Sequence, residues 1–156
     1  MLIPTLINSE QIIGGLITGI LLVKFGRKTL LQYGTFIAAM AHIMVGLGFF
    51  FKYTLEEETA GQVFVLIGLV IFMAAYSFSL GPIIWLYIPE IIDVKQVPSA
   101  LVMHWVTYFI VVFLFPIITD NVLSENPTLI FIFLGVYLLV SVVVNVKVMV
   151  ETKGKT

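Results

Sequence analysis

The fold is decided by residues 59–89, which read TAGQVFVLIGLVIFMAAYSFSLGPIIWLYIP, 31 residues without a charged side chain. A helix needs about 20 predominantly apolar residues to cross a bilayer, so this stretch can hold one crossing but not two joined by a turn. Three more uncharged stretches, of 23, 24 and 21 residues, lie at 29–51, 96–119 and 126–146. A fifth candidate, residues 1–23, contains a single charged residue, Glu10.

The composition of the whole chain also indicates a membrane protein. Of the 156 residues, 11% are charged and 60% are apolar, and the mean hydropathy is +1.13. An average globular protein has roughly 25% charged residues. Segments of this length indicate helices, because barrel strands have about 10 residues of alternating polarity. The sequence therefore predicts an all-α membrane protein with one transmembrane domain over residues 1–156. Its five spans are predicted at about 3–23, 31–51, 63–88, 100–119 and 129–148.

The cations predict how the chain crosses the membrane. With five spans, one side carries seven of the eight cations: Lys24, Arg27, Lys28, Lys95, Lys147, Lys153 and Lys155. The other side carries only Lys52. Because cytoplasmic loops are rich in Lys and Arg, we expect the N-terminus outside and the C-terminus in the cytoplasm. The chain is then an integral, multi-pass membrane protein in a membrane that the sequence does not specify.

Several classes of function are excluded by what the sequence lacks. The chain has no cysteine, which excludes disulfides, thiolate metal sites and a cysteine nucleophile. A net charge of −1 offers no basic surface for a nucleic acid. The sequence also contains no recognisable metal-binding, phosphate-binding or catalytic motif. We expect no enzymatic activity, no metal and no cofactor.

An interruption lies within the third predicted span. Pro82 has no N–H group, so the carbonyl of Phe78 loses its helical partner, and the neighbouring Gly81 adds backbone freedom. Gly81 and Pro82 are therefore a candidate hinge, of a kind that often lines a cavity in membrane proteins. Trp85, one turn further on, offers a flat apolar face and one N–H donor, which suits a sugar ring. A packing kink and an interfacial tryptophan are the alternative interpretations.

Three short motifs occur at ordered positions along the chain. Residues 24–31 read KFGRKTLL, residues 81–91 read GPIIWLYIPEI, and residues 150–156 read VETKGKT. They resemble the R-x-G-R-R/K loop, the G-P-x-P-W-x-Y-x-x-E-I signature of the tenth span and the P-E-T-K-G tail of sugar porters in the major facilitator superfamily. The resemblance covers nearly the whole chain but only spans eight to twelve of twelve. It implies a partial C-terminal bundle of the facilitator fold.

The resemblance implies transmembrane transport of a hexose-like monosaccharide by alternating access, with the substrate held between two bundles. Since the family's first seven spans have no counterpart here, we expect an incomplete or truncated carrier. Its other wall would come from a missing N-terminal bundle or a partner chain. Two alternatives stay open: a non-transporting membrane subunit that packs with a partner bundle, and a proton-coupled small-solute carrier that uses Glu10 or His104.

The candidate substrate-binding residues are Trp85, Gln11, His104, Gly81 and Tyr108. Gln11 falls where the resemblance places a sugar-facing Asn of the eighth span, and His104 replaces the Asn of an Asn-Trp pair in the eleventh. At bilayer depth, an amide or an imidazole can equally well form a hydrogen bond between helices. Both interpretations therefore stay open.

The resemblance also implies a gating network of charges at the cytoplasmic side. Carried over to this chain, Glu90 and Glu151 would face Arg27, Lys28 and Lys95 and hold the outward-facing state closed. Exposed ion pairs contribute only about 0–1 kcal/mol each, so such a network would act as a switch. Ordinary positive-inside charge with incidental acids is the alternative.

Two smaller patterns predict helix packing. Gly15 and Gly19 form a face of small residues that lets another helix approach closely. His42 lies beside Ala38, Ala39 and Ala41, which indicates a donor at a contact between helices.

Overall fold

The computed structural model describes the backbone of residues 2–115, 117, 120 and 125–154, and the side chains of these residues from 14 onward except 112 and 113. Within these ranges the chain forms helices and no strand, which confirms the predicted all-α class. The described elements are α1 (Leu2–Phe25), α2 (Arg27–Thr54), α3 (Glu58–Ala75), the π-helical turn π1 (Tyr76–Leu80), α4 (Gly81–Ile91), α5 (Val97–Phe109), the π-helical turn π2 (Ile110–Leu114) and α6 (Pro127–Val148).

Three helices among the described residues are long and apolar enough to cross a membrane: Arg27–Thr54, Glu58–Ile91 and Pro127–Val148. They correspond to the second, third and fifth predicted spans. The first predicted span lies in α1, where the described side chains cover only the shorter apolar segment Gly14–Phe25. The fourth runs beyond α5 into residues outside the described ranges. The count of five therefore stays a prediction.

Helix α2 occupies the centre of the bundle, with α3 and α6 packed against it. Its buried residues are Leu31, Gly34, Thr35, Ala38, Ala39, Ala41, Val45, Gly46 and Gly48, and most of these are small. Small residues let helix backbones approach closely, and van der Waals packing of this kind drives association in lipid. A β-carbon on Gly48 would lie 2.8 Å from the carbonyl oxygen of Gly61, and one on Gly61 would lie 2.7 Å from that of Gly48. The α2–α3 crossing therefore requires glycine on both helices.

His42 lies at the predicted contact between helices, but its hydrogen bond stays within its own helix. Its Nδ1 is 2.8 Å from the carbonyl oxygen of Ala38, one turn earlier in α2. The ring meets Phe72 of α3 edge-on, with 4.8 Å between centroids. His42 thus contributes to α2–α3 packing through a ring contact, rather than as a donor across the interface.

Among the described residues, the close approach to α1 is made by a glycine next to the predicted pair. Gly15 and Gly19 are exposed, and no described atom lies within 4 Å of a β-carbon placed on either. The close approach is made by Gly14, whose β-carbon would lie 2.7 Å from Cβ of Ser77 in π1. Because residues 14–23 of α1 are almost all apolar, glycine spacing alone does not reveal which face turns towards the bundle.

The predicted interruption at Gly81 and Pro82 takes the form of a π-helical turn. The N–H of Gly81 donates to the carbonyl oxygen of Tyr76, five residues earlier, instead of to an oxygen four residues earlier. Pro82 then falls in the first turn of α4, where a missing N–H is tolerated. The helical segment Glu58–Ile91 is therefore continuous. Because α4 follows π1 directly, π1 sets the direction in which the Trp85 side chain points.

Candidate functional site

Two adjoining cavities flank the side chain of Trp85. The first has a volume of about 250 Å³ and is lined by Tyr76, Ser77, Gly81, Pro82 and Trp85. The second has a volume of about 370 Å³ and is lined by Tyr76, Gly81, Ile84, Trp85, His104, Trp105 and Tyr108. Because they share Tyr76, Gly81 and Trp85, we treat them as one groove, the Trp85 groove, between π1, α4 and α5.

The aromatic rings of the groove contact one another. Trp85 meets His104 edge-on at 5.1 Å between centroids and Trp105 at 5.7 Å, and Trp105 meets Tyr108 edge-on at 5.8 Å. Aromatic pairs of this kind contribute about 0.5–1.5 kcal/mol beyond the area they bury, so they help to orient the rings. Trp85 nevertheless stays 43% exposed. The groove thus offers an accessible indole to a small ring-shaped ligand.

The groove brings together four of the five candidate substrate-binding residues: Trp85, His104, Gly81 and Tyr108. The fifth, Gln11, lies in α1 with its side chain outside the described residues. Within the described ranges, no group of three or more metal-ligating side chains could hold a metal ion. The side chains that line the groove offer ring stacking through Trp85 and hydrogen bonding through Ser77 and His104.

Four lining residues were not singled out from the sequence: Tyr76, Ser77, Ile84 and Trp105. Trp105 follows His104 in the Asn-Trp position, so the motif already contained the signal that could have identified it. Tyr76 lies five residues before Gly81, and its ring comes within 3.1 Å of a β-carbon placed there. The π-helical turn produces this contact, and the sequence pattern does not predict a π-helical register.

Glu90, at the end of α4, forms an ion pair with Arg27, at the start of α2. Nη2 of Arg27 lies 2.7 Å from Oε1 of Glu90, and Nε lies 3.1 Å from both carboxylate oxygens. The two side chains are 25% and 18% exposed. Thr152, in the tail after α6, also donates a hydrogen bond to Glu90. Two-nitrogen contacts of this kind fix the carboxylate geometrically as well as electrostatically.

Glu151 caps the N-terminus of α2 from the tail. Its carboxylate accepts hydrogen bonds from the backbone N–H groups of Arg27 at 3.0 Å and Lys28 at 3.1 Å. These groups have no partner within the helix, and the helix dipole favours an anion there. Burial raises the pKa of Glu151, but hydrogen bonds from the backbone N–H groups of Lys153, Arg27, Lys28 and Thr29 outweigh it and hold the pKa below the usual 4.5.

Gly26 makes room for this cap. Its φ of 82° lies in the left-handed region, which favours glycine. A β-carbon there would lie 2.6 Å from Oε2 of Glu151. The glycine of the KFGRK motif therefore serves both the turn between α1 and α2 and the carboxylate that docks on it.

The tail is also held by hydrogen bonds to backbone groups. The hydroxyl of Tyr87 donates to the carbonyl oxygen of Val150 at 2.8 Å and accepts the Val150 N–H at 3.1 Å. Lys153 reaches α1, where its ammonium donates to the carbonyl oxygen of Lys24 at 3.0 Å. Tyr87 and Thr152 were not predicted, because a hydroxyl in a motif does not reveal its partner. We refer to Arg27, Glu90, Glu151, Thr152 and Tyr87 as the basic-end network.

Two predicted members of the network lie differently. Lys28 contributes its backbone N–H to Glu151, while its ammonium donates to the carbonyl oxygen of Val146 at 3.0 Å. Lys95 lies apart: its backbone N–H donates to Asp93 at 3.2 Å. Among the described residues, no carboxylate lies within 4.0 Å of the Lys95 ammonium.

Comparison with known proteins gives a match over nearly the whole chain. The model of the family described as "Sugar (and other) transporter" matches residues 9–156. The chain is 30% identical to plastidic glucose transporter 4 of Arabidopsis thaliana, over 97% of this chain and 27% of the relative. It is 25% identical to facilitated trehalose transporter Tret1 of Apis mellifera ligustica, over 97% of this chain and 30% of the relative.

A bacterial relative matches over a shorter stretch. The arabinose-proton symporter of Bacillus subtilis (strain 168) is 33% identical, over 55% of this chain and 17% of the relative. The chain thus spans less than a third of the length of these curated relatives. No solved structure matches it significantly.

The family match contains the Trp85 groove, the basic-end network and all three motifs noted in the sequence. Together with the three long apolar helices, it identifies an integral, multi-pass membrane protein. The resemblance inferred from the motifs is confirmed, and the chain belongs to the sugar (and other) transporter family.

Proposed function

We propose that this chain supplies one wall of a hexose-type sugar site and takes part in transporting the sugar by alternating access. The proposal rests on the shape and lining of the Trp85 groove. A sugar ring has an apolar C–H face that stacks on an indole and hydroxyl groups that need hydrogen-bonding partners. Trp85 offers the indole, and Ser77 and His104 place a hydroxyl and an imidazole beside it. Plastidic glucose transporter 4 is named for a sugar of this class.

A second bundle would supply the opposing wall. Trp85 is 43% exposed and Trp105 is 55% exposed, so the described residues cover the groove on one side only. In transporters of this architecture the substrate lies near the bilayer midplane between two bundles, which rock about it. The opposing bundle could belong to the same longer chain or to a partner, and the proposal holds for both arrangements.

The basic-end network suits the gate of such a cycle at the predicted cytoplasmic side. It connects the tail after α6 to α2 through Glu151 and to α4 through Thr152 and Tyr87. Partly exposed ion pairs such as that of Arg27 and Glu90 contribute roughly 0.2–1 kcal/mol, which is small enough to break in each turnover. The network would close access to the groove from the predicted cytoplasmic side while the groove is open to the opposite side.

Uptake by a chimera tests the proposed function. Residues 9–156 would replace the matching segment of plastidic glucose transporter 4, which then provides the opposing wall. In liposomes we expect saturable uptake of labelled D-glucose but not of L-glucose. Trp85→Ala should lower uptake at least about tenfold, equivalent to about 1.4 kcal/mol. Tyr137→Ala removes an exposed aromatic ring of α6 outside the groove and should have little effect.

Two results would contradict the proposal. One is equal uptake of D-glucose and L-glucose by the chimera. The other is unchanged D-glucose uptake in Trp85→Ala, measured with equal amounts of inserted protein.

A further inference from the structure

Pro82 leaves one carbonyl group without a donor in either helical register of π1. In the π register that the turn adopts, Gly81 donates to Tyr76, so the next acceptor, Ser77, would need an N–H on residue 82. In the α register, Phe78 would need the N–H of the same residue. Proline has no N–H group. The oxygen left free is therefore that of Ser77 in the π register and that of Phe78 in the α register.

Thr18 of α1 lies within hydrogen-bonding distance of both oxygens. Its Oγ1 is 3.3 Å from the carbonyl oxygen of Ser77 and 2.9 Å from that of Phe78. The side chain is 1% exposed, and its other acceptor is the carbonyl oxygen of Gly14 at 2.7 Å. A hydroxyl has a single proton, so Thr18 donates to one of these oxygens at a time.

The close approach of α1 makes this contact possible. A β-carbon on Gly14 would lie 2.9 Å from the carbonyl oxygen of Ser77, so a larger residue would push α1 away from π1. Other buried hydroxyl groups nearby serve their own helices: Ser79 donates to Ala75 at 2.8 Å and Thr35 donates to Leu31 at 2.7 Å. Thr18 also reaches a carbonyl oxygen of its own helix, that of Gly14, but it differs from them because it reaches across an interface as well, to the carbonyls that Pro82 affects.

We propose that Thr18 is a positioning residue for the hinge that precedes Trp85. Its hydroxyl replaces the N–H that Pro82 lacks, because it reaches both the oxygen of Ser77, which is free in the π register, and the oxygen of Phe78, which is free in the α register. An unsatisfied carbonyl is costly in a bilayer, where no water replaces the lost donor. One hydroxyl that reaches both oxygens therefore stabilises both registers and allows the change between them.

The hinge lies directly before α4, the helix that carries Trp85. Helix α4 continues directly from π1, so a change of register alters the rotation and height of Trp85 relative to α3. Thr18 would thus connect α1 to the orientation of the indole. This link to transport rests on the proposed function, whereas the action of Thr18 on the hinge does not.

Distance measurements across the hinge test the proposal. The chain has no cysteine, so spin labels can be placed cleanly at Val70→Cys in α3 and Leu86→Cys in α4, two exposed positions on either side of π1. Pulsed electron paramagnetic resonance on the full chain in lipid nanodiscs, without sugar, then gives the distance distribution. We expect Thr18→Val to broaden it or add a second maximum, and Thr18→Ser, which keeps the hydroxyl, to preserve the parent distribution.

Two further variants separate the hydrogen bond from simple packing. Thr35→Val removes a buried hydroxyl that serves only its own helix and should leave the distribution unchanged. Pro82→Ala restores an N–H at position 82, so Thr18→Val should have no further effect in that background. Equal broadening with and without Pro82→Ala, or no broadening by Thr18→Val, would overturn the proposal.

The test also holds if Thr18→Val alone does not give folded protein. In that case, Pro82→Ala should restore the folded yield of the Thr18→Val chain, and failure to restore it would overturn the proposal. Since no sugar is present, these results do not depend on whether the groove binds a hexose.

Discussion

At the scale of single residues, Gly26 combines two constraints whose effects can be separated. Its backbone, with φ 82° and ψ 168°, lies in a region that essentially only glycine adopts, so any β-carbon is unfavourable there by roughly 1–3 kcal/mol. In addition, a β-carbon there would collide with the Glu151 carboxylate. We therefore expect Gly26→Ala to lower the free energy of unfolding by more than the backbone cost alone, as measured by denaturation in detergent micelles.

Gly154 provides the matched control. Its φ is 76°, but no described atom lies within 4 Å of a β-carbon placed there. Gly154→Ala should show the backbone cost only. Equal losses in the two variants would mean that the contact between Gly26 and Glu151 has no energetic weight.

The ionisation of Glu151 should make docking of the tail depend on pH. Its pKa in the folded protein lies below the usual 4.5, so its stabilising effect is complete above that value and is lost as the pH falls through the lowered pKa. A fluorophore on Val150→Cys, an exposed position in the tail, should have constant anisotropy near neutral pH and lower anisotropy in acid below pH 4.5.

Glu151→Gln serves as the control for this titration. The amide cannot ionise, so anisotropy should be low at neutral pH and should show no acid transition from this group. An unchanged transition in Glu151→Gln would show that the tail responds to another group.

Individual residues within the uncharged spans were more predictable than their partners. Trp85, His104 and Tyr108 could be selected because large aromatic or polar side chains stand out in uncharged segments, and the structure places them in one groove. Thr18 could not be selected, because the role of its hydroxyl depends on its contact with Ser77 and Phe78. These residues are 59 and 60 positions away in the sequence. Hydrogen bonds between helices depend on tertiary packing, which residue spacing does not determine.

At the scale of helices, the α2–α3 crossing depends on two glycines in direct contact. Gly48→Ala would place a methyl group 2.8 Å from the carbonyl oxygen of Gly61. Overpacking of this kind typically costs about 1–3 kcal/mol, because the backbones must separate. We expect a loss of this size in the free energy of unfolding, measured by titration with a denaturing detergent.

Gly19→Ala is the matched control on α1. Gly19 is exposed, and its β-carbon would meet no described atom within 4 Å. Alanine also has the higher helix propensity, so this variant should be neutral or slightly stabilising. A loss as large as that of Gly48→Ala would show that the effect is not specific to the crossing.

The positions of the long helices could be predicted from the sequence, but the faces that these helices bury could not. The uncharged stretches located the helices Arg27–Thr54, Glu58–Ile91 and Pro127–Val148. In lipid, however, apolar residues face outward as well as inward, so hydrophobic periodicity does not reveal the buried side. The sequence pattern indicated Gly15 and Gly19, whereas among the described residues Gly14 makes the close approach of α1.

At the scale of the whole molecule, the ion pair between Arg27 and Glu90 should control access to the core beneath the basic end. Leu22, 6% exposed, packs there with Leu31 and Ile83. In a Leu22→Cys chain, Glu90→Gln should speed alkylation by a water-soluble thiol reagent. A pair worth roughly 0.2–1 kcal/mol corresponds to an increase of about 1.4-fold to fivefold.

Asp93→Asn is the control for this experiment. Asp93 is an exposed acid close in sequence to Glu90, and its hydrogen bond goes to the Lys95 backbone rather than to the basic-end network. It should leave the alkylation rate unchanged. Equal acceleration by both variants would show that lost negative charge, and not the ion pair, opens the core.

The proposed function requires the Trp85 groove to face the sugar, so a bound sugar should protect the groove from alkylation. Ile84→Cys lines the groove, whereas Val136→Cys is an exposed position on α6 outside it. Both would be introduced into the chimera, built on a cysteine-free version of the relative, and alkylated with or without sugar. D-glucose should slow alkylation at position 84 several-fold, L-glucose should not, and neither should affect position 136. Alkylation at position 84 that is equally fast with D-glucose and L-glucose would mean that the groove does not face the sugar.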